Sequence, residues 1–211
     1  MLMFNAKALG LLVSMLAISP AFAAAPSRAV VTANASGNRA LDAGRYEVAL
    51  KGYEKTLRLA EDVGDAQYRA MAMYGLARAN ARLCRATLAE KWFRDSISLR
   101  ESIPDVPQSA FLTQNWIEFA RFLLSVGRTE EAAAYFERAV QKLERMGIER
   151  IDPIGYADLL DDVAATLIKI GNIAEAKVHA QRIAELREKY PDRKAVFRAL
   201  PYPVACAAET Q

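Results

Sequence analysis

One histidine, His179, is the entire imidazole content of this 211-residue chain. A general base of that kind needs an orienting group and a nucleophile within reach, and no Cys or Ser stands near it in the sequence. Phosphate-cradling Gly-rich loops, a nucleophile elbow and paired-Cys metal spacing do not occur. An enzyme, a bound metal and an organic cofactor are therefore not expected, and His179 reads as a solvent-side or interhelical residue. Three carboxylates, Asp158, Asp161 and Asp162, fall at i, i+3 and i+4 and so share one side of a helix. They suit a basic segment or a loosely held cation, although a position near a helix start favours negative charge on structural grounds alone. The two cysteines, Cys84 and Cys206, either bridge in an oxidising compartment or remain unrelated thiols. A bridge would close a loop of about 120 residues, worth on the order of 4–5 kcal/mol in the chain-entropy account. It would also pin an irregular tail to the body.

The first residues speak to location. Lys7 precedes an apolar stretch, Ala8 to Ile18, and Pro20 then breaks any helix before Ala21-Phe22-Ala23. That three-part layout is a secretory leader of bacterial type with cleavage expected after Ala23. The apolar stretch is too short to span hydrocarbon, which takes roughly 20 residues. No Cys lies near the cleavage position to carry lipid. A periplasmic or secreted chain is expected, with no membrane span after cleavage.

Composition agrees with a folded protein, at 53% apolar and 25% charged residues with only 10 Gly and 8 Pro. Basic and acidic side chains number 28 and 25, a net +3, and both signs are interleaved along the chain. Nucleic-acid binders concentrate positive charge on one face or in a tail, so a nucleic-acid partner is not expected.

The elements that must position these residues recur. Four segments share a small residue in a turn, an Ala five positions later and an aromatic or small residue four after that. They are Gly44, Ala49 and Tyr53; Cys84, Ala89 and Phe93; Gly127, Ala132 and Phe136; Gly171, Ala176 and Ala180. Successive Ala marks lie 40, 43 and 44 residues apart. Apolar residues flank each mark at helical steps, as in Trp116, Phe119, Ala120 and Leu123, or Leu160, Val163, Ala164 and Leu167. Period-two alternation is missing, so strands are not expected. Two helices joined by a tight turn leave one face uncovered, and the next pair covers it. Gly44, Gly127 and Gly171 fit a turn residue with positive φ, whereas Cys84 in that slot leaves its turn open to a different geometry.

The pattern resembles the tetratricopeptide repeat. The third repeat carries it best, through Trp116, Phe119, Ala120, Gly127, Ala132, Phe136 and Ala139. The first keeps Gly37, Gly44, Tyr46, Ala49 and Tyr53 but has Ala33 and Ser36 where bulk is expected, and the fourth has Ala180 in place of the aromatic. The period exceeds the usual 34 and is similar to longer-helix variants such as those of kinesin light chains. The resemblance implies an all-α, right-handed solenoid of antiparallel helix pairs. Expected boundaries are a leader over 1–23, a lead over 24–29 and a repeat domain over 30–192. Its repeats lie near 30–64, 65–104, 108–148 and 153–191, with a short capping helix and irregular tail over 193–211.

The resemblance further implies that the first helix of each pair lines a concave groove. On this sequence that places Asn34 and Asn38, then Tyr74, Arg78 and Arg82, then Gln114, Ile117, Glu118 and Arg121, then Asp158, Asp161, Asp162 and Lys169 in the groove. Arg78, Arg82 and Arg121 would form a basic patch able to grip carboxylates, or simply a solvated face. With the aspartates beyond it the groove would be bipolar. The function implied is a protein-interaction scaffold that binds a partner protein or peptide, with an acidic segment as one suitable ligand. The alternative is an accessory ligand-binding protein of an envelope transport or assembly system.

Overall fold

The computed structural model describes residues 27–103, 109–196 and Tyr202. The leader expected over 1–23 and the second cysteine, Cys206, lie outside the described residues, as does most of the expected capping helix. Residues 193–196, at the start of that expected helix, are not helical.

Every main helix is 15 or 17 residues long, and consecutive helices pair. They are α1 (Arg28–Asp42) with α2 (Tyr46–Asp62), α3 (Ala66–Arg82) with α4 (Ala86–Ser102), α5 (Ser109–Ser125) with α6 (Thr129–Arg145), and α8 (Pro153–Lys169) with α9 (Ile173–Lys189). A single short turn of helix, α7 (Ile148–Ile151), links α6 to the last pair. No strand occurs among the described residues.

The reversals share one device. At the end of α1 the Gly44 N–H donates to Leu41 C=O at 3.0 Å, and the Arg45 N–H reaches back to Ala40 C=O at 2.8 Å. This is the Schellman arrangement, which needs a left-handed residue just past the helix. Gly44, Gly64, Gly127 and Gly171 supply it at φ of 70°, 69°, 80° and 82°. Cys84 adopts the same conformation at φ 58°, with Arg85 N–H bonded to Asn80 C=O at 3.0 Å. Its turn therefore does not differ from the others, although a side chain there costs about 1–2 kcal/mol. Starts are capped in turn: Asp65 accepts from Tyr68 N–H at 3.0 Å and Asp152 from Gly155 N–H at 2.9 Å. Pro153 sits at the first position of α8, where a missing N–H does no harm.

Packing follows the alternation of small and aromatic residues. Ala89, Ala132 and Ala49 are fully buried, as are Phe93, Phe119 and Phe136. Phe93 stacks on Phe119 with ring centroids 5.2 Å apart, which ties the second pair to the third. In the first pair the Tyr53 ring lies against two glycines. A Cβ on Gly75 would overlap three atoms of that ring, and one on Gly37 would stand 2.8 Å from Tyr53 Cε1. Those two glycines let α1 and α3 close on an aromatic spacer contributed by α2. Buried polar groups are locked between helices as well: Asn115 donates to Ser96 Oγ at 2.7 Å, and that hydroxyl donates to Ala70 C=O at 2.8 Å.

Candidate functional site

A cavity of about 400 Å³ opens on the inner side of α1, α3 and α5. Five of the residues expected in the groove line it together: Asn34, Asn38, Tyr74, Arg78 and Gln114. Tyr53 and Gly75 form its floor, and Phe111 stands half-exposed at its edge. The floor exists because Gly75 carries no Cβ, so the Tyr53 hydroxyl can reach across to donate to Asn38 Oδ1 at 2.8 Å. Burial pushes the Tyr53 phenol up to about 12, and burial followed by the negative charge of Glu118 pushes Tyr74 well above the usual phenol range. Both hydroxyls are therefore donors at any physiological pH. The Tyr74 hydroxyl is buried next to Gln114 and makes no hydrogen bond of good geometry.

Beyond the cavity the groove is a chain of paired charges. Glu118, only 3% exposed, stands between two guanidinium groups, with Arg78 Nε at 3.9 Å and Arg121 Nη1 at 3.4 Å. Arg121 continues to Asp162 at 2.7 Å. Arg82 lies over the ring of Tyr202, 4.8 Å from its centroid. The arginines expected to form one basic patch are thus engaged with carboxylates and an aromatic ring. The three aspartates are divided: Asp162 turns to Arg121, while Asp158 and Asp161 both hold Arg187 on α9. Lys169 is exposed and Ile117 packs against the core. The bipolar groove is largely neutralised, since its charges cancel across neighbouring helices.

Tyr202 is absent from the groove residues that the repeat pattern implies. It follows the last helix at a distance of more than ten residues, yet it is 6% exposed and packed into the main core cluster. Its hydroxyl donates to Glu118 Oε2 at 2.7 Å, and its ring stands edge-on to Phe122 with centroids 6.3 Å apart. The chain returns to the groove along the start of α8: Arg193 Nη2 donates to Ile151 C=O at 3.1 Å and Val196 N–H to the Asp152 carboxylate at 3.2 Å. The one available signal was an aromatic residue framed by Pro201 and Pro203 a few positions before the second cysteine. Cys84 is disulfide-bonded.

His179 lies on α9, 3.9 Å from Glu175, away from the cavity lining. Among the described residues no three His, Cys, Asp or Glu side chains are grouped to hold a metal ion. Among them, too, no helix is long and apolar enough to cross a membrane.

A tetratricopeptide repeat family model matches residues 30–102, the first two helix pairs. Over those two pairs the chain is similar to the tetratricopeptide repeat family. Members of that family are typically non-catalytic protein-interaction scaffolds. Solved structures extend the likeness over the rest of the fold. BtubC (BKLC) from P. vanneervenii is similar at a TM-score of 0.69 and 17% identity, over 82% of this chain and 69% of that one. MamA is similar at 0.58 and 18%, over 78% and 81%. A Podosopora anserina putative kinesin light chain with nearly identical TPR-like repeats is similar at 0.57 and 13%, over 78% and 77%. At such identities the likeness is one of fold. No curated protein matches the sequence.

Proposed function

We propose that this tetratricopeptide repeat chain is an exported interaction scaffold, working in the periplasm or outside the cell, whose concave groove receives a segment of another protein. The leader-like layout of Met1 to Ala23 supports export. The observation that carries the groove reading is the convergence of Asn34, Asn38, Tyr74, Arg78 and Gln114, drawn from three successive repeats, on one cavity. Side chains of mixed donor and acceptor character, spaced along a rigid curved wall, suit an extended or helical peptide. An acidic segment would have to exchange with Glu118 and Asp162 for Arg78 and Arg121, so charge alone is a weak basis for its capture. The test is crosslinking of the tagged chain in its native envelope, followed by identification of attached proteins. Arg78→Glu should cut the yield of the specific product severalfold while circular dichroism stays helical. Arg78→Ala, which adds no carboxylate beside Glu118, keeps the result readable if the reversal unfolds the chain. Yields indifferent to both variants and to Arg121→Glu would count against the groove.

A second reading is an accessory protein that binds a small ligand. It is favoured by the closed floor of the cavity and by the Tyr74 hydroxyl, a buried donor in want of an acceptor. A thermal-shift screen with metabolites separates the two, because a native-state ligand raises the melting temperature by mass action.

A further inference from the structure

The groove already holds an occupant. Tyr202 enters it from the C-terminal segment and meets three kinds of complementary surface: the Glu118 carboxylate for its hydroxyl, the Arg82 guanidinium for its ring face and Phe122 for its ring edge. We propose that this place is a tyrosine-reading subsite, that the partner is an extended segment presenting a tyrosine to Glu118, and that the chain's own C-terminal segment competes for it.

The chemistry of the subsite selects for that side chain. Glu118 is buried, and its Oε2 accepts from the phenol at 2.7 Å, while Arg78 Nε faces the same oxygen from 3.9 Å, beyond hydrogen-bond reach, and Arg121 Nη1 lies 3.4 Å from Oε1. A phenylalanine would leave that oxygen desolvated and unsatisfied, and a buried charged acceptor without its donor is strongly unfavourable. A carboxylate side chain would be repelled by Glu118. Burial, followed by the charge of Glu118, holds the Tyr202 phenol well above its usual range, so the proton needed for this bond stays in place.

Val196 is hydrogen-bonded to Asp152, and six residues of chain lead on to Tyr202. A tether that short gives an effective concentration on the order of millimolar, which a free ligand must overcome. A bridge from Cys84, two residues after Arg82, to Cys206, four residues after Tyr202, would tether the same segment from its other side. The subsite and the cavity are continuous through Arg78, so displacement of Tyr202 opens an unbroken groove from α1 to α5.

This proposal rests on the groove reading, and its test separates the two. The probe is a fluorescent peptide with the sequence of residues 198–205, which contains the tyrosine and lacks the cysteine, read by anisotropy against the purified full chain. Tyr202→Ala in the chain should tighten the peptide at least tenfold, and replacing the peptide's tyrosine by phenylalanine should weaken it about tenfold or more. Equal affinity of the parent and Tyr202→Ala chains, or equal affinity of the two peptides, would overturn the proposal. In the native envelope, a crosslinking yield that falls with Arg78→Ala but ignores Tyr202→Ala leaves the groove standing and removes the tyrosine subsite. A yield raised by Tyr202→Ala and lowered by Arg78→Ala supports both.

Discussion

The two ends of the groove are built from the same repeat and do opposite things. Toward α1 and α3, two glycines let the helices close to the thickness of the Tyr53 ring between them, beside a cavity with amide, hydroxyl and guanidinium groups in its wall. Toward α8 and α9, charged side chains reach one another and close: Arg121 on Asp162, Arg187 on Asp158 and Asp161. Open space along the wall is thus local. The solenoid supplies a curved wall everywhere, and side-chain size and pairing decide where that wall is open.

The largest effect should come at the junction of the two ends. Glu118→Ala strands Arg78 and the Tyr202 hydroxyl and leaves Arg121 with Asp162, and should cost about 3 kcal/mol in urea denaturation. If it costs no more than Asp158→Ala, the junction is no different from the surface and the comparison fails.

At the open end, Gly75→Ala drives a methyl into the Tyr53 ring. Overpacking of that kind costs roughly 1–3 kcal/mol or more, against a gain of about 1 kcal/mol in helix propensity. The close approach to several ring atoms puts the net near ~2 kcal/mol destabilising, with peptide or partner capture reduced because the cavity floor moves. Unchanged thermal stability would show that the ring has room and that the cavity is not set by the glycines.

The smallest effect belongs to the closed end. Arg187 and its two aspartates are about half exposed, so Arg187→Ala should change stability by about 0.5 kcal/mol or less and leave capture untouched. A marked loss of capture in that variant would extend the functional groove to the last repeat and erase the contrast.

Much of this was legible beforehand, for reasons that are local. The turn slots at Gly44, Gly127 and Gly171 announce themselves because a left-handed residue is sterically restricted. The Ala and aromatic marks read as buried because their spacing keeps one helix face, and Ala49, Ala89, Ala132, Tyr53, Phe93 and Phe136 are indeed core. Cys84 was harder: its neighbours' hydrogen bonds impose the same turn, and the tertiary fit offsets a backbone conformation that its side chain disfavours. The register also brought Asn34, Asn38, Tyr74, Arg78 and Gln114 to one face, since residues on successive inner helices must meet there. It could not reveal that Glu118 would sit between two arginines, nor that Tyr202 would return across 84 positions to bond it.

The sequence by itself determined helix lengths, turn positions and the face each helix buries, because these follow from sterics and periodicity within a few residues. Which charges cancel, where a cavity survives and what fills the groove were decided only by the tertiary structure. Those depend on distances between side chains from different repeats, and a carboxylate is a ligand, a brace or a solvated charge according to what lies within about 4 Å of it.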